Sequence, residues 1–258
     1  VYLDRIIAAH RAAAERDSRN LEDLVARSAA IGPTRGFANR LRRDSHESLA
    51  VIAEIKRRSP SKGDLHPDLD PATMARTYEA SGASCISVLT DADYFGGSIA
   101  DLQAARGAVE IPVLRKDFTV GPRDVCDARL MGADCLLLIV AALDPDELRS
   151  LHELALDLGL DVLVETHDER EIEQALAVGA RIIGVNQRDL RTFEVDHERA
   201  LRVVGSMPPD VVKVAESGVR GAVDAASLRD AGYDAVLVGE TLLVSDDPGS
   251  ALRSLRGR

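Results

Sequence analysis

The sequence predicts an α/β chain folded as a (β/α)8 barrel, the TIM-barrel architecture, with a helical extension at its N-terminus. Three observations carry this. The chain has 258 residues, and such barrels typically run to about 250. Five times a helix-like segment ends in glycine and a β-rich apolar run follows: SGASCISVL at Gly82, MGADCLLLIV at Gly132, LGLDVLVE at Gly159, VGARIIGVN at Gly179 and AGYDAVLVG at Gly232. Glycine just past a helix supplies the left-handed cap conformation, and a near-continuous apolar run reads as a strand buried on both faces, as parallel strands are. Finally, polar residues stand at the C-terminal end of nearly every run, whereas a doubly wound open sheet would concentrate its chemistry at one switch point.

In chain order the expected strands are β1 at 49–55, β2 at 84–89, β3 at 111–115, β4 at 134–140, β5 at 161–165, β6 at 181–185, β7 at 211–215 and β8 at 235–238. Helix-periodic segments follow them at 71–81, 98–109, 121–131, 144–158, 168–178, 196–205, 221–231 and 247–256. Asp70-Pro71 and Asp144-Pro145 are N-cap plus first-turn proline signals. Residues 1–45 read as two or three amphipathic helices capping the barrel, with Asp44-Ser45 as the turn into β1 and 1–258 expected as one domain.

Composition is that of an ordinary globular chain, 45% hydrophobic and 29% charged. No apolar run approaches the roughly 20 residues a membrane span needs, and the first residues lack the apolar core of a signal peptide. The three cysteines, Cys85, Cys126 and Cys135, form no CxxC and read as buried free thiols, which with the absent signal peptide predicts a cytoplasmic chain. A net charge of −11 argues against nucleic-acid binding but leaves room for a local basic cluster that binds a small anion. Nothing marks an oligomer interface, so a monomer or weak homo-oligomer is expected.

Of 32 basic residues only four are lysine: Lys56, Lys62, Lys116 and Lys213. Arginine stays protonated near neutrality, whereas lysine is a compact, tunable acid. Two of the four fall at strand ends. β1 ends in Glu54-Ile55-Lys56, followed by Arg57, Arg58 and Ser59; β3 in Arg115-Lys116-Asp117; β5 in Glu165-Thr166-His167; β6 in Asn186-Gln187-Arg188; β7 in Glu216-Ser217-Gly218; β8 in Gly239-Glu240-Thr241. Strand side chains alternate, so Glu54 and Lys56 face the same way, with Ala50 and Ile52. Carboxylates and ammonium groups converging in a barrel mouth neutralise one another and set up acid–base chemistry. Gly218 and Gly239 expose backbone at the place where barrels frequently bind phosphate, with Lys56, Lys62, Arg188 and the β1-loop arginines as counter-charge. The β1 loop from Arg57 to Asp70 is long for a βα connection and is expected to act as a lid carrying Lys62. No metal-ligand spacing, nucleophile elbow, GxGxxG or GxxxxGK occurs, so neither metal nor cofactor is expected.

IAEIKRRSPSKG at 52–63 resembles the first-strand signature of indole-3-glycerol-phosphate synthases. So do SVLTDADYFGGS (87–98), PVLRKDF (112–118), LLLIVAAL (136–143), LVETHDE (163–169), GVNQRDLRTFEVD (184–196), VAESGVR (214–220) and AVLVGETLL (235–243), in order along nearly the whole chain. Gln187 departs from the small residue or asparagine usual there, and should point away from Asn186. The resemblance implies ring closure, decarboxylation and dehydration of 1-(2-carboxyphenylamino)-1-deoxyribulose 5-phosphate, without cofactor or metal. It implies Lys116 as the acid for ring closure and Glu165 as the second acid–base group, with Lys56 holding an anionic part of the substrate. Glu54, Asn186 and Glu216 would orient these groups. Ser59, Lys62, Arg188, Ser217, Gly218, Leu237, Gly239 and Glu240 would complete the substrate and phosphate site. Two rivals stay open: a phosphoribosylanthranilate isomerase-like enzyme, which would need a cysteine or aspartate acid–base pair at strand ends, and a non-catalytic phosphometabolite-binding barrel.

Overall fold

The computed structural model describes residues 2–60, 62–189 and 192–257. Ser61, Leu190 and Arg191, which fall within two of the motifs quoted above, lie outside them. Eight parallel strands close into a barrel: β1 Ala50–Ile55, β2 Cys85–Leu89, β3 Val113–Lys116, β4 Cys135–Ile139, β5 Asp161–Thr166, β6 Ile182–Asn186, β7 Val212–Glu216 and β8 Ala235–Val238. β8 closes the barrel against β1 in the register Ala50↔Ala235 through Ala53↔Val238.

The alternation of side chains builds two apolar layers. Val51, Ala53, Ile86, Val88, Leu136, Leu138, Val162, Val164, Ile183 and Val185 face outward and pack under the helices. Ala50, Ile52, Cys85, Leu114, Cys135, Leu137, Leu163, Ile182, Val212, Val214, Ala235 and Leu237 fill the interior. All three cysteines are free and buried.

Strand boundaries shift from expectation by one or two residues. β3 begins at Val113, not Ile111, because Pro112 has no N–H for the ladder and Ile111 is held from outside by the Glu79 carboxylate and the Arg35 guanidinium. As a result Lys116, Asn186 and Glu216 are each the last residue of a strand.

The extension forms three helices, α1 Tyr2–Arg16, α2 Leu21–Ala29 and α3 Phe37–Ser45. Asp44-Ser45 is therefore the last turn of α3 and not a separate turn; Asp44 is held there by an ion pair with Arg40 one helical turn back. α3 covers the N-terminal end of the barrel. Its Phe37 and Leu41 are fully buried against the interior layer, and Ala38 N–H donates to Asp161 at the start of β5. Each such side chain contributes about 1.5–3 kcal/mol by burial. α1 lies at the opposite end. Its Leu3 and Ile6 join the cluster that contains Tyr94, Phe95 and Phe118 of the βα loops, and Arg11 pairs with Glu147 after β4.

The barrel helices are α4 Pro71–Ala80, α5 Ile99–Ala108, α6 Pro122–Leu130, α7 Pro145–Asp157, α8 Glu169–Ala177, α9 Arg199–Val203, α10 Ala222–Asp230, the short α11 Glu240–Leu243 and α12 Pro248–Leu255. Asp70, Ser98, Asp144, Asp168 and Asp247 cap five of them with side-chain oxygens. α9 is much shorter than the 196–205 expected. Asp196 folds back onto Glu198 N–H and Arg202 instead of opening the helix, and the last residues tighten into a 3-10 turn. Among the described residues, no helix is long and apolar enough to cross a membrane.

Candidate active site

At the C-terminal end of the strands a cavity of about 370 Å3 opens between the βα loops. The fourteen residues singled out from the sequence all line it: Glu54, Lys56, Ser59, Lys62, Lys116, Glu165, Asn186, Arg188, Glu216, Ser217, Gly218, Leu237, Gly239 and Glu240.

Five charged groups meet at its floor. Lys56 Nζ donates to Glu54 Oε1 at 2.6 Å. Lys116 Nζ stands between two carboxylates, 3.7 Å from Glu165 Oε2 and 3.6 Å from Glu216 Oε2. Both glutamates are 1% exposed, and Lys116 is 16% exposed. Asn186 Nδ2 donates to Glu165 Oε1 at 3.0 Å, while Asn186 Oδ1 accepts from Arg188 N–H. Three carboxyl groups thus face two ammonium groups, one negative charge in excess. Burial alone would lower the Lys116 ammonium's affinity for its proton; Glu216, Glu165 and Glu54 outweigh it and hold the lysine protonated well above its ordinary range. Burial raises Glu216 far above the usual carboxylate range, and the Glu165 charge beside it pushes the same way, so Glu216 absorbs the excess. For Glu54, burial is overcome by Lys56 and Lys116, which keep it below its ordinary value.

The backbone makes room for this cluster. Gly184 sits beside Glu216 on the neighbouring strand, and a Cβ there would stand 2.0 Å from Glu216 Oε1. Ser217 and Gly218, at φ 64° and 70°, turn the chain sharply after β7. Gln187 donates to Ser217 O at 2.8 Å and does not line the cavity, so the departure at this position braces the turn from behind.

The β1 loop already leans over the mouth. Ser59, Pro60 and Lys62 line the cavity, and Lys62 Nζ pairs with Glu240, whose other oxygen is 3.8 Å from Arg188. A small ladder of Arg58–Ser59 with Gly63–Asp64 stiffens the loop. Arg57 and Arg58 are not part of the counter-charge expected of them. Arg57 turns outward to Asp101 and Leu69 O, and Arg58 to Asp93 O, where these acceptors satisfy their guanidinium groups.

Sequence reasoning missed the opposite wall. Leu89, Phe95, Phe118, Leu137 and Ile139, from β2 to β4, give that side an apolar face, with Phe95 and Phe118 centroids 6.2 Å apart. The available signal was aromatic scarcity: aromatics make up 3% of the chain, and Phe95 and Phe118 each follow a strand end. Phe193, at φ 62°, rests edge-on against Tyr2 of α1. Among the described residues, His10, Asp91 and Asp117 are the one His/Cys/Asp/Glu group whose ligand atoms lie close enough to hold a metal ion; both carboxylates already accept several protein hydrogen bonds.

Fold and cavity together define a (β/α)8-barrel enzyme with acid–base groups fixed at its strand ends. The sequence model of the indole-3-glycerol phosphate synthase family matches residues 3–255. An indole-3-glycerol phosphate synthase from Nocardioides sp. (strain ATCC BAA-499 / JS614) is 51% identical over 257 residues, 99% of this chain and 98% of that protein. The chain belongs to the indole-3-glycerol phosphate synthase family, carboxy-lyases of tryptophan biosynthesis that close a ring with loss of carbon dioxide. Solved structures similar in fold include a thiamine phosphate pyrophosphorylase from Pyrococcus furiosus, with TM-score 0.61 and 17% identity over 83% of this chain and 96% of that one. Another is an N-acetylmannosamine-6-phosphate 2-epimerase from Clostridium perfringens, with TM-score 0.61 and 13% identity over 77% and 90%. At these identities they speak to the fold alone.

Proposed function

We propose a division of labour inside the cavity for the ring closure of 1-(2-carboxyphenylamino)-1-deoxyribulose 5-phosphate. The observation that carries it is the placement of Lys116 between Glu165 and Glu216, facing an apolar wall on one side and the β7–β8 glycines on the other. The aromatic ring of the substrate rests on Phe95, Phe118, Leu137 and Ile139. The phosphate lies at Ser217, Gly218, Gly239 and Glu240, where backbone N–H groups and the start of α11 face the cavity, with Lys62 and Arg188 as counter-charge. Lys56 meets an anionic part of the substrate, and Leu237 and Ser59 shape the space between.

Held at both ends, the substrate places its ketone near Lys116. As the ring carbon that bears the carboxylate attacks the ketone carbon, Lys116 delivers a proton to the ketone oxygen, which becomes a hydroxyl. The bond to the carboxylate then breaks, carbon dioxide leaves, and its electron pair restores the aromatic ring. Glu165 serves the last step, in which the new hydroxyl departs as water and a proton is lost, forming the indole. Asn186 fixes Glu165, and Glu54 and Glu216 keep the two lysines charged and in place. Alignment of ketone and ring carbon supplies much of the rate, since positioning can contribute about 7–11 kcal/mol.

The isomerase reading finds no support here, because none of the three cysteines lines the cavity and the one aspartate in its lining, Asp117, is tied to Arg115 and Thr90. The test is turnover followed by indole fluorescence. Lys116→Ala should lose about 100- to 10,000-fold in kcat, the range of general acid catalysis, and Lys116→Arg should fail as well because a guanidinium is a poor proton donor. Turnover near wild type in either variant removes Lys116 from the reaction.

A further inference from the structure

One polar side chain of the extension reaches the aromatic wall. His10 on α1 places Nε2 at 3.0 Å from Asp91 Oδ2 and 3.9 Å from Asp117 Oδ1. Both carboxylates are nearly closed off from solvent, at 3% and 5% exposure. Each shapes one turn of the wall. Asp91 Oδ1 accepts from the backbone N–H groups of Tyr94 and Phe95, at 2.7 and 3.0 Å. Asp117 Oδ1 accepts from Phe118 N–H at 2.8 Å, while its Oδ2 accepts from Arg115 and from the Thr90 hydroxyl. The His10 ring itself lies 5.3 Å from the Phe118 ring. Asp117 is paired with Arg115 of β3, two residues back; the cation that faces Asp91 is His10.

We infer that His10 is a positioning residue: from a helix outside the barrel it joins the β2 and β3 turns through Asp91 and Asp117, and so sets the spacing of Phe95 and Phe118 against the substrate's aromatic ring. His10 does not line the cavity, so it acts through these two turns. The inference rests on the apolar wall being the ring site proposed above.

The joint is strongest with His10 protonated. The groups facing it are Asp91, Asp117 and Asp124, with Arg115 on the far side of Asp117. Burial disfavours the imidazolium, but the hydrogen bond and charge of Asp91 and the charges of Asp117 and Asp124 outweigh it and raise the histidine above its ordinary 6.5. A raised histidine contributes fully below its unfolded value and loses that contribution as pH climbs through the folded one. The joint therefore loosens as pH rises above 6.5 and through that raised value.

The experiment measures kcat and KM across pH for the full chain and for His10→Ala, His10→Gln and Phe118→Ala. His10→Ala should raise KM by about tenfold, the size expected for one lost charge-assisted hydrogen bond, with a much smaller change in kcat. Wild-type KM should climb as pH rises above 6.5, and this climb should vanish in both His10 variants. His10→Gln, which keeps a donor for Asp91, should recover part of the low-pH KM. A merely structural role would lower the melting temperature without altering the pH dependence of KM. An unchanged KM and an intact alkaline climb in His10→Gln overturn the inference. If Phe118→Ala also leaves KM unchanged, the ring-site reading itself has failed; if Phe118→Ala raises KM and the His10 variants do not, only the role of His10 falls.

Discussion

Two buried carboxylates, Asp134 at the N-terminal end of the barrel and Glu216 at the C-terminal end, are treated in opposite ways. At the N-terminal end, Asp134 accepts from the Arg35 and Val113 backbone N–H groups and from the Arg106 guanidinium, at 2.8, 2.9 and 3.1 Å. Asp161 and Asp234, half-buried at the same end, each accept one backbone N–H, from Ala38 and Lys213. At the C-terminal end, Glu165 accepts one hydrogen bond from Asn186, and neither Glu216 oxygen has a partner within hydrogen-bond distance. The bottom carboxylates tie α3 and neighbouring strands together. Glu165 and Glu216 are left facing each other and Lys116 across a cavity, which costs stability and leaves their oxygens open to a substrate. Buried carboxylates that accept three hydrogen bonds, Asp134, Asp91 and Asp117, mark joints in this molecule, and Glu216, which accepts none, marks chemistry.

The largest effect that sharpens this contrast is the loss of turnover in Lys116→Arg, which keeps a cation between Glu165 and Glu216 and so should change the unfolding free energy little. Next comes its mirror image. Asp134→Ala leaves Arg106 and two backbone N–H groups unpaired at a fully buried site, and breaking such a pair costs about 3–5 kcal/mol. Urea unfolding should show that loss while kcat per folded molecule stays at the wild-type level; a fall in kcat with stability intact would dissolve the distinction between the ends. The smallest is Lys62→Ala. Lys62 and Glu240 are 54% and 32% exposed, and an exposed pair contributes only about 0–1 kcal/mol to folding. Its removal should leave the unfolding midpoint in place and raise KM several-fold by withdrawing a cation from the phosphate. An unchanged KM would reduce the β1 loop to a surface connection.

Much of this contrast was legible in the sequence. Glycine followed two residues later by aspartate recurs at Gly132-Ala133-Asp134, Gly159-Leu160-Asp161 and Gly232-Tyr233-Asp234, so the pattern that announced the strands also carried the bottom joints. Glu54, Lys56, Lys116, Glu165 and Asn186 could be placed at the mouth because strand periodicity is two and barrel chemistry sits at strand ends. What stayed hidden depends on contacts between distant segments. Phe95 and Phe118 carry no periodic signal because they stand in loops. His10 is 81 residues from Asp91 on a helix whose pattern reads only as amphipathic. Arg57 and Arg58 look like phosphate ligands by charge and turn away because Asp101 and Asp93 O are nearer. Gly184 reads as one more small strand residue until the Glu216 carboxylate is seen in the space it leaves.

Glu165→Gln separates chemistry from structure at the mouth, since it keeps the shape of the side chain and the contact with Asn186 while removing the proton acceptor. Turnover by indole fluorescence and urea unfolding would be measured on the same preparation. A loss of about 100-fold or more in kcat is expected, with an unfolding midpoint equal to or above that of the wild type, because one of the crowded charges at the mouth is gone. A lowered midpoint with kcat retained would contradict it, and would make Glu165 a joint like Asp134.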